Sequence, residues 1–396
     1  MIISSLKTNI TPTQRHLNNI RLDGYANRIN YASGIHDDIY LRILHLKDQS
    51  KNIVLASLEL LAVNNLWQKS AERIVKNSVI TATHTHSAPR ICHDYLMWGL
   101  QCNEYEIDYL NYINNTLSSS LSSVLMNQAT SSIVNNILIY ETEITSICRN
   151  RDNPRESSEV KAYIINDDTD IPFILHFPCH STVLGFNNTY ISGDLIGYVV
   201  SQLERESKNV VLPLIGAAGD ISTRYTRVKQ DFSEVERLGN QIIDLINNRK
   251  RLINEIAVKE INYKTINFSA KTRKNILINM LNSINKKSDI VRDYELNAIM
   301  NTLKVLPEKV SVKIGLLAFN KSLLFVFVPF EPTYDVQLLL NEYIHDKIVL
   351  LVGYSYDYLG YLTSQEESYT YENLMTFVHF NEIFNKIVNL IKDILL

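Results

Sequence analysis

Residues 78–90 read SVITATHTHSAPR, and the way that stretch divides decides the fold. Ser78 to Thr83 is a short apolar run of strand character that carries directly into His84-Thr85-His86. Pro89 stops it, because proline has no N–H to give to a ladder. The histidines therefore sit near a strand end, and an extended backbone there would project both imidazoles from one face. Such a pair suits a metal: neutral imidazole is a favoured Zn²⁺ donor, and a neighbouring histidine can instead carry protons near neutral pH. On its own the triplet is equally well read as two ordinary polar histidines.

Outward from this point, the runs 39–46 and 52–63 read as core strands, with Ile, Val and Leu recurring between polar bounds. Residues 104–126 place Tyr105, Tyr109, Leu110, Ile113, Leu117, Leu121 and Leu125 at helical spacing with serines between, which predicts a long amphipathic helix. Strands are expected at 133–140, 160–165 and 173–177, and a helix at 195–206. The segment 232–306 reads as mainly helical, rich in Lys, Asn and Ile, without residues suited to chemistry. Strand character returns over 312–328, where Asn320-Lys321 suits a hairpin turn. A last helix is expected at 381–396. Strands and helices alternate irregularly, so the fold class is α/β, a mixed β-sheet core with surrounding helices. No internal repeat or Pro/Gly-rich linker divides the chain, so 1–396 is read as one domain with a mainly helical insertion at about 232–306.

Composition narrows the function classes. Of 396 residues, 45% are hydrophobic and 20% charged, as in an ordinary globular protein. A formal net charge of −3 offers no basic field for phosphate, so nucleic acid is disfavoured as a partner. The N-terminal stretch lacks a basic segment followed by an apolar one, and runs such as 323–330 are too short to span a bilayer as a helix. These features give the expectation of a cytoplasmic protein with no transmembrane segment. Cys92, Cys102, Cys148 and Cys179 form no CxxC pair and are expected as reduced, structural thiols. Oligomeric state is left open.

A second histidine follows an apolar run in FPCHST at 177–182. A lone histidine after a strand is more often a hydrogen-bonded structural residue. Two strand-end histidine sites in one chain favour a metal, since catalytic zinc commonly takes three protein ligands and leaves one position for water.

ATHTHSAPR at 82–90, FPCHSTVLGFNN at 177–188, YISGDLIGY at 190–198 and GAAGDIST at 216–223 resemble, in that order, successive motifs of the neutral/alkaline ceramidase family. GIHDDIYLRILHL at 34–46, NPR at 153–155, VPFEPTYDV at 328–336 and GYLTSQEESYTYE at 360–372 extend the resemblance over almost the whole chain. The resemblance implies a neutral-ceramidase-like catalytic domain binding Zn²⁺ through His84, His180, Glu331 and Tyr361. It also implies a proton-transfer role for His86, with Arg151 and Tyr371 lining the position of the substrate carbonyl oxygen. The activity it implies is hydrolysis of an N-acyl amide, in ceramide or a related N-acyl amine, by metal-activated water.

Arg149 competes with Arg151, since both fall on one face of a local strand, and the two tyrosine positions lie closer together than is usual in the family. Thr223 stands where the family has proline after GDxS, and 219–222 is read as a tight turn beneath the site. Asp194 and the His36-Asp37 pair are read as loop-fixing groups. A Ser222 nucleophile would require a base within reach. Family members that act outside the cell carry an export signal and a C-terminal immunoglobulin-like domain, and the expectation here is of the catalytic domain without either. The partner is expected to be a small-molecule or lipid-like amide. The rival reading is a cytoplasmic tailoring enzyme using the same site on another amide or ester, a peptide or lipidated metabolite, or in the amide-forming direction. A non-enzymatic binding protein that kept the fold is the third reading.

Overall fold

The computed structural model describes residues 1–48, 51–92, 101–126, 129–155, 158–283 and 292–396. Three larger sheets are present among the described residues. The first runs Ser78–Ala82, Lys51–Leu58, Tyr40–Asp48, Ile2–Asn9, Thr130–Ile133 across its width. The second runs Leu212–Ile215, Pro172–Phe177, Lys161–Asn166, Asn136–Glu143, Arg251–Ala257. The third, of four strands, runs Ile261–Lys271, Lys309–Phe319, Leu323–Phe327, Ile348–Val352. Most neighbours are antiparallel, yet each sheet contains one parallel pair: Lys51–Leu58 with Ser78–Ala82, Pro172–Phe177 with Leu212–Ile215, and Leu323–Phe327 with Ile348–Val352.

The sheets share one apolar cluster. Leu44, Leu55 and Val79 of the first meet Ile165, Phe173 and Leu214 of the second and Leu317, Phe325 and Val352 of the third. Each such buried side chain is worth about 1.5–3 kcal/mol relative to exposure. Helices Asn65–Ile74 and Glu104–Leu125 pack together, the latter against the first sheet; Asp194–Ser207 and Phe232–Arg249 pack on the second, and Phe380–Leu395 on the third. The fold is thus the expected mixed α/β arrangement. The long helix follows its sequence pattern closely: Tyr109, Ile113, Leu117 and Leu121 are buried, and Asn103 with Glu106 forms a capping box that satisfies two of the first free N–H groups. The turn at Asn320-Lys321 also forms, with φ of 49° and 56°, the left-handed pair that a tight hairpin requires.

Several expectations need correction. The run 52–63 does not stay extended: its strand stops at Leu58, where the chain turns so that the buried Glu59 carboxylate meets Arg42 and accepts the Tyr40 N–H at 2.9 Å. The strand expected at 133–140 is Asn136–Glu143, with Thr130–Ile133 pairing separately on the first sheet. Segment 232–306 holds three helices among its described residues, but strands Arg251–Ala257 and Ile261–Lys271 interrupt them because each finds an open sheet edge. Its residues 284–291 lie outside the described set. The four cysteines are not all thiols: Cys92 and Cys102 form a disulfide, while Cys148 and Cys179 are buried and free. Disulfides persist in oxidising surroundings, so this pair lends no support to a cytoplasmic setting. Among the described residues no helix is long and apolar enough to cross a membrane.

Candidate metal centre

The carboxyl ends of the parallel pairs converge on one point, as ligand sites in α/β sheets commonly do. Ser78–Ala82 delivers His84 and His86, Pro172–Phe177 delivers His180, and Leu323–Phe327 leads to Glu331. The ring nitrogens available as donors on His84, His86 and His180 all lie within 4.8 Å of one another. His84 Nε2 and His180 Nε2 stand 3.2 Å and 3.1 Å from the same Glu331 Oε2, and His86 Nε2 is 3.2 Å from His84 Nε2.

The histidines do not meet by the route the sequence suggested. The strand ends at Ala82, and His84 has φ of 57°, a left-handed conformation uncommon outside glycine. Alternation along an extended chain therefore does not bring His84 and His86 together; a bent backbone does.

Each of two rings has one nitrogen tied to backbone. His84 Nδ1 lies 2.7 Å from the Leu61 carbonyl, and His180 Nδ1 lies 2.5 Å from that of Ala218. A carbonyl only accepts, so in both rings Nδ1 carries the proton and Nε2 presents its lone pair to the centre. His86 differs: its buried Nδ1 has no hydrogen-bond partner among the described residues, and its ring packs edge-on to Tyr25, with centroids 4.9 Å apart. Burial lowers the pKa of His180 to about 4 and, with His84 and His180 nearby, holds that of His86 well below its ordinary value. Burial opposes ionisation of Glu331, but His84 and His180 outweigh it and keep the carboxyl well below the usual range. Two neutral imidazoles and one carboxylate form a donor set that fits a divalent metal.

Short ladders set the remaining groups. Glu331–Pro332 pairs in parallel with Tyr361–Leu362, so Glu331 and Tyr361 are register partners despite their separation in sequence. Ile221–Ser222 pairs with Arg149–Asn150, and the turn before it accepts the Arg151 N–H at Asp220 O, 2.7 Å. Arg151 lines the cleft and pairs with Glu372 at 2.6 Å, whereas Arg149 turns back to the Thr145 carbonyl, 3.1 Å away. Tyr361 and Tyr371 line the same cleft with ring centroids 5.8 Å apart. The tight turn at 219–222 lies beneath the site, with Asp220 accepting the Tyr334 N–H at 2.7 Å. Asp194 accepts the N–H groups of Val183, Leu184 and Leu195, and Asp37 that of Gly193, so both fix loops.

A family profile described as "Neutral/alkaline non-lysosomal ceramidase, N-terminal" matches residues 15–218. The chain belongs to this family. No curated protein sequence matches it. Among solved structures, the neutral ceramidase from Pseudomonas aeruginosa is similar over 99% of this chain and 74% of its own, with a TM-score of 0.74 and 16% identity. A ceramidase complexed with C2 is similar over 99% of this chain and 75% of its own, with a TM-score of 0.73 and 16% identity. At that identity the likeness shows the ceramidase fold. Family and fold together support an amide-bond hydrolase of ceramidase type.

Sequence reasoning missed three groups at the ceramidase-type centre. Tyr354 stacks on His84, with centroids 4.1 Å apart, and donates to Glu331 Oε2 at 3.4 Å; Tyr358 donates to Glu331 Oε1. Four tyrosines within 353–361 were the available signal. Gly24, behind His86, had none.

Proposed function

We propose that this chain is a zinc-dependent amidohydrolase that cleaves an N-acyl amide, with His84, His180, Glu331 and Tyr361 as metal ligands. The observation that carries the reading is the pair of backbone-locked imidazoles sharing Glu331 Oε2. A bound zinc ion supplies Lewis acidity and lowers the pKa of water toward about 7. Glu331 holds the site's negative charge and is positioned to accept a proton from attacking water. His86, standing in the cleft, would take that proton on from Glu331 and hand it to the departing amine, so that the proton lost by water ends on the leaving group. Arg151, held by Glu372, and Tyr371 face the carbonyl oxygen as it gains charge.

The test is metal analysis of the purified protein together with assays on N-acylsphingosine and short N-acyl amines. About one zinc per chain is expected, as for a single site of this type, and His84→Ala should lose both metal and activity. Full activity in chelated, metal-free protein would overturn the reading. A second reading, the same site acting on a different amide or ester, or in the amide-forming direction, is favoured by the polar walls of the cleft.

A further inference from the structure

The cleft over the three histidines has a volume of ≈ 370 Å³, and its described lining residues include Ala26, Leu61 and five tyrosines beside charged side chains. The tyrosine rings give an acyl chain apolar contact, and the charged groups act on what lies beside it. The cations of the cleft, Arg151, Arg224 and Arg292, stand among the carboxylates of Asp152, Glu295, Glu331 and Glu372, and they are unequally committed. Arg151 is paired with Glu372 at 2.6 Å, and Arg292 donates to the Tyr294 hydroxyl at 2.7 Å. Arg224 is exposed, and among the described residues its guanidinium has no hydrogen bond or ion pair. Asp152, which also lines the cleft, faces it at longer range.

The backbone places Arg224 on the wall that carries Arg151. It follows Ile221–Ser222, which is laddered to Arg149–Asn150, and its N–H donates to Ser222 Oγ at 3.3 Å. Arg151 is the inner, largely buried cation of that wall and Arg224 the outer one. A guanidinium there matches a carboxylate by paired N–H donors.

We propose that Arg224 binds an anionic group of the substrate next to the scissile amide, so that the preferred substrates are N-acyl amino acids rather than neutral N-acyl amines. This rests on the amidohydrolase reading above. Arg224 acts on specificity, and Asp152 competes with the substrate for it.

The experiment compares N-octanoylglycine with N-octanoylethanolamine, which share an acyl chain and an amide and differ in charge at one position. Both kcat/KM and calorimetric binding are measured for the metal-loaded wild type, Arg224→Gln and Asp152→Asn. Wild type is expected to favour the glycine conjugate by about tenfold, equivalent to about 1.4 kcal/mol. Arg224→Gln should bring that ratio toward one, chiefly through a higher KM for the glycine conjugate, and Asp152→Asn should widen it. Equal use of the two amides by wild type, or an equal loss on both in Arg224→Gln, overturns the proposal. If neither amide is hydrolysed, binding decides. Tighter binding of N-octanoylglycine that is lost in Arg224→Gln upholds the anion subsite and no difference in binding overturns it, while the amidase reading is judged separately by zinc content and turnover of N-acylsphingosine.

Discussion

Gly24 stands directly behind His86: a β-carbon on Gly24 would lie 2.4 Å from His86 Cγ, and its φ of +97° is one that side chains rarely adopt. Gly24→Ala is therefore expected to displace the His86 ring while leaving His84 and His180 in place. Turnover should fall by roughly tenfold or more, as small misplacements of a catalytic group do, with metal content retained. Stability should drop by about 1–3 kcal/mol. Unchanged turnover would show that the position of His86 does not matter.

His86→Asn separates a proton carrier from a ligand. The variant should keep its metal and lose about 10²–10⁴ in kcat. Loss of metal from this variant, measured after gel filtration, would make His86 a ligand instead.

Tyr358 donates a hydrogen bond to Glu331 Oε1, and thus orients the only carboxylate among the proposed ligands. Groups that orient a metal ligand commonly contribute about 10–100-fold in affinity. Tyr358→Phe should weaken zinc binding by that order in a competition titration with a chromophoric chelator; an unaltered affinity would count against the orienting role.

Asp194 is 1% exposed, and burial raises its pKa to about 7 although three backbone N–H groups oppose the shift. The unfolded chain ionises near 3.9, so between about pH 4 and 7 the native state holds a proton that the unfolded state does not. Its stability contribution is complete below about pH 4 and is lost as pH rises through 7. Asp220, also raised to about 7 by burial, acts with the same sign. Asp194→Asn removes one share, so its melting temperature relative to wild type should improve from pH 5 to pH 8. The change is at most about 1.4 kcal/mol per pH unit. Parallel melting curves would refute the assignment.

The Cys92–Cys102 disulfide leaves Cys148 and Cys179 as thiols. Denatured, unreduced protein should titrate about two thiols per chain with a chromogenic reagent, and about four after reduction. Four thiols before reduction would mean that the bridge does not form.

Much of the architecture was legible because it follows local periodicity. The helix from Glu104 and the hairpin at Asn320-Lys321 are written in side-chain spacing and turn chemistry, and both form as read. Run lengths were less legible where a distant partner intervenes. Glu59 ends a strand early because Arg42 is buried beside it, and Arg251–Ala257 becomes a strand because an edge on the second sheet is open.

The site divides in the same way. By itself, the sequence determined the candidates: the HTH triplet, a histidine after the 173–177 run, and, through the resemblance, Glu331, Tyr361, Arg151 and Tyr371. Only the tertiary structure decided how they meet. His84 turns through a left-handed bend, Glu331 and Tyr361 become neighbours through a two-residue parallel ladder, and Arg151 rather than Arg149 faces the cleft. Gly24, Tyr354 and Tyr358 joined them only in three dimensions. The physical reason is that ligand chemistry belongs to single side chains, whereas their convergence depends on carbonyl partners, sheet register and burial contributed from distant parts of the chain.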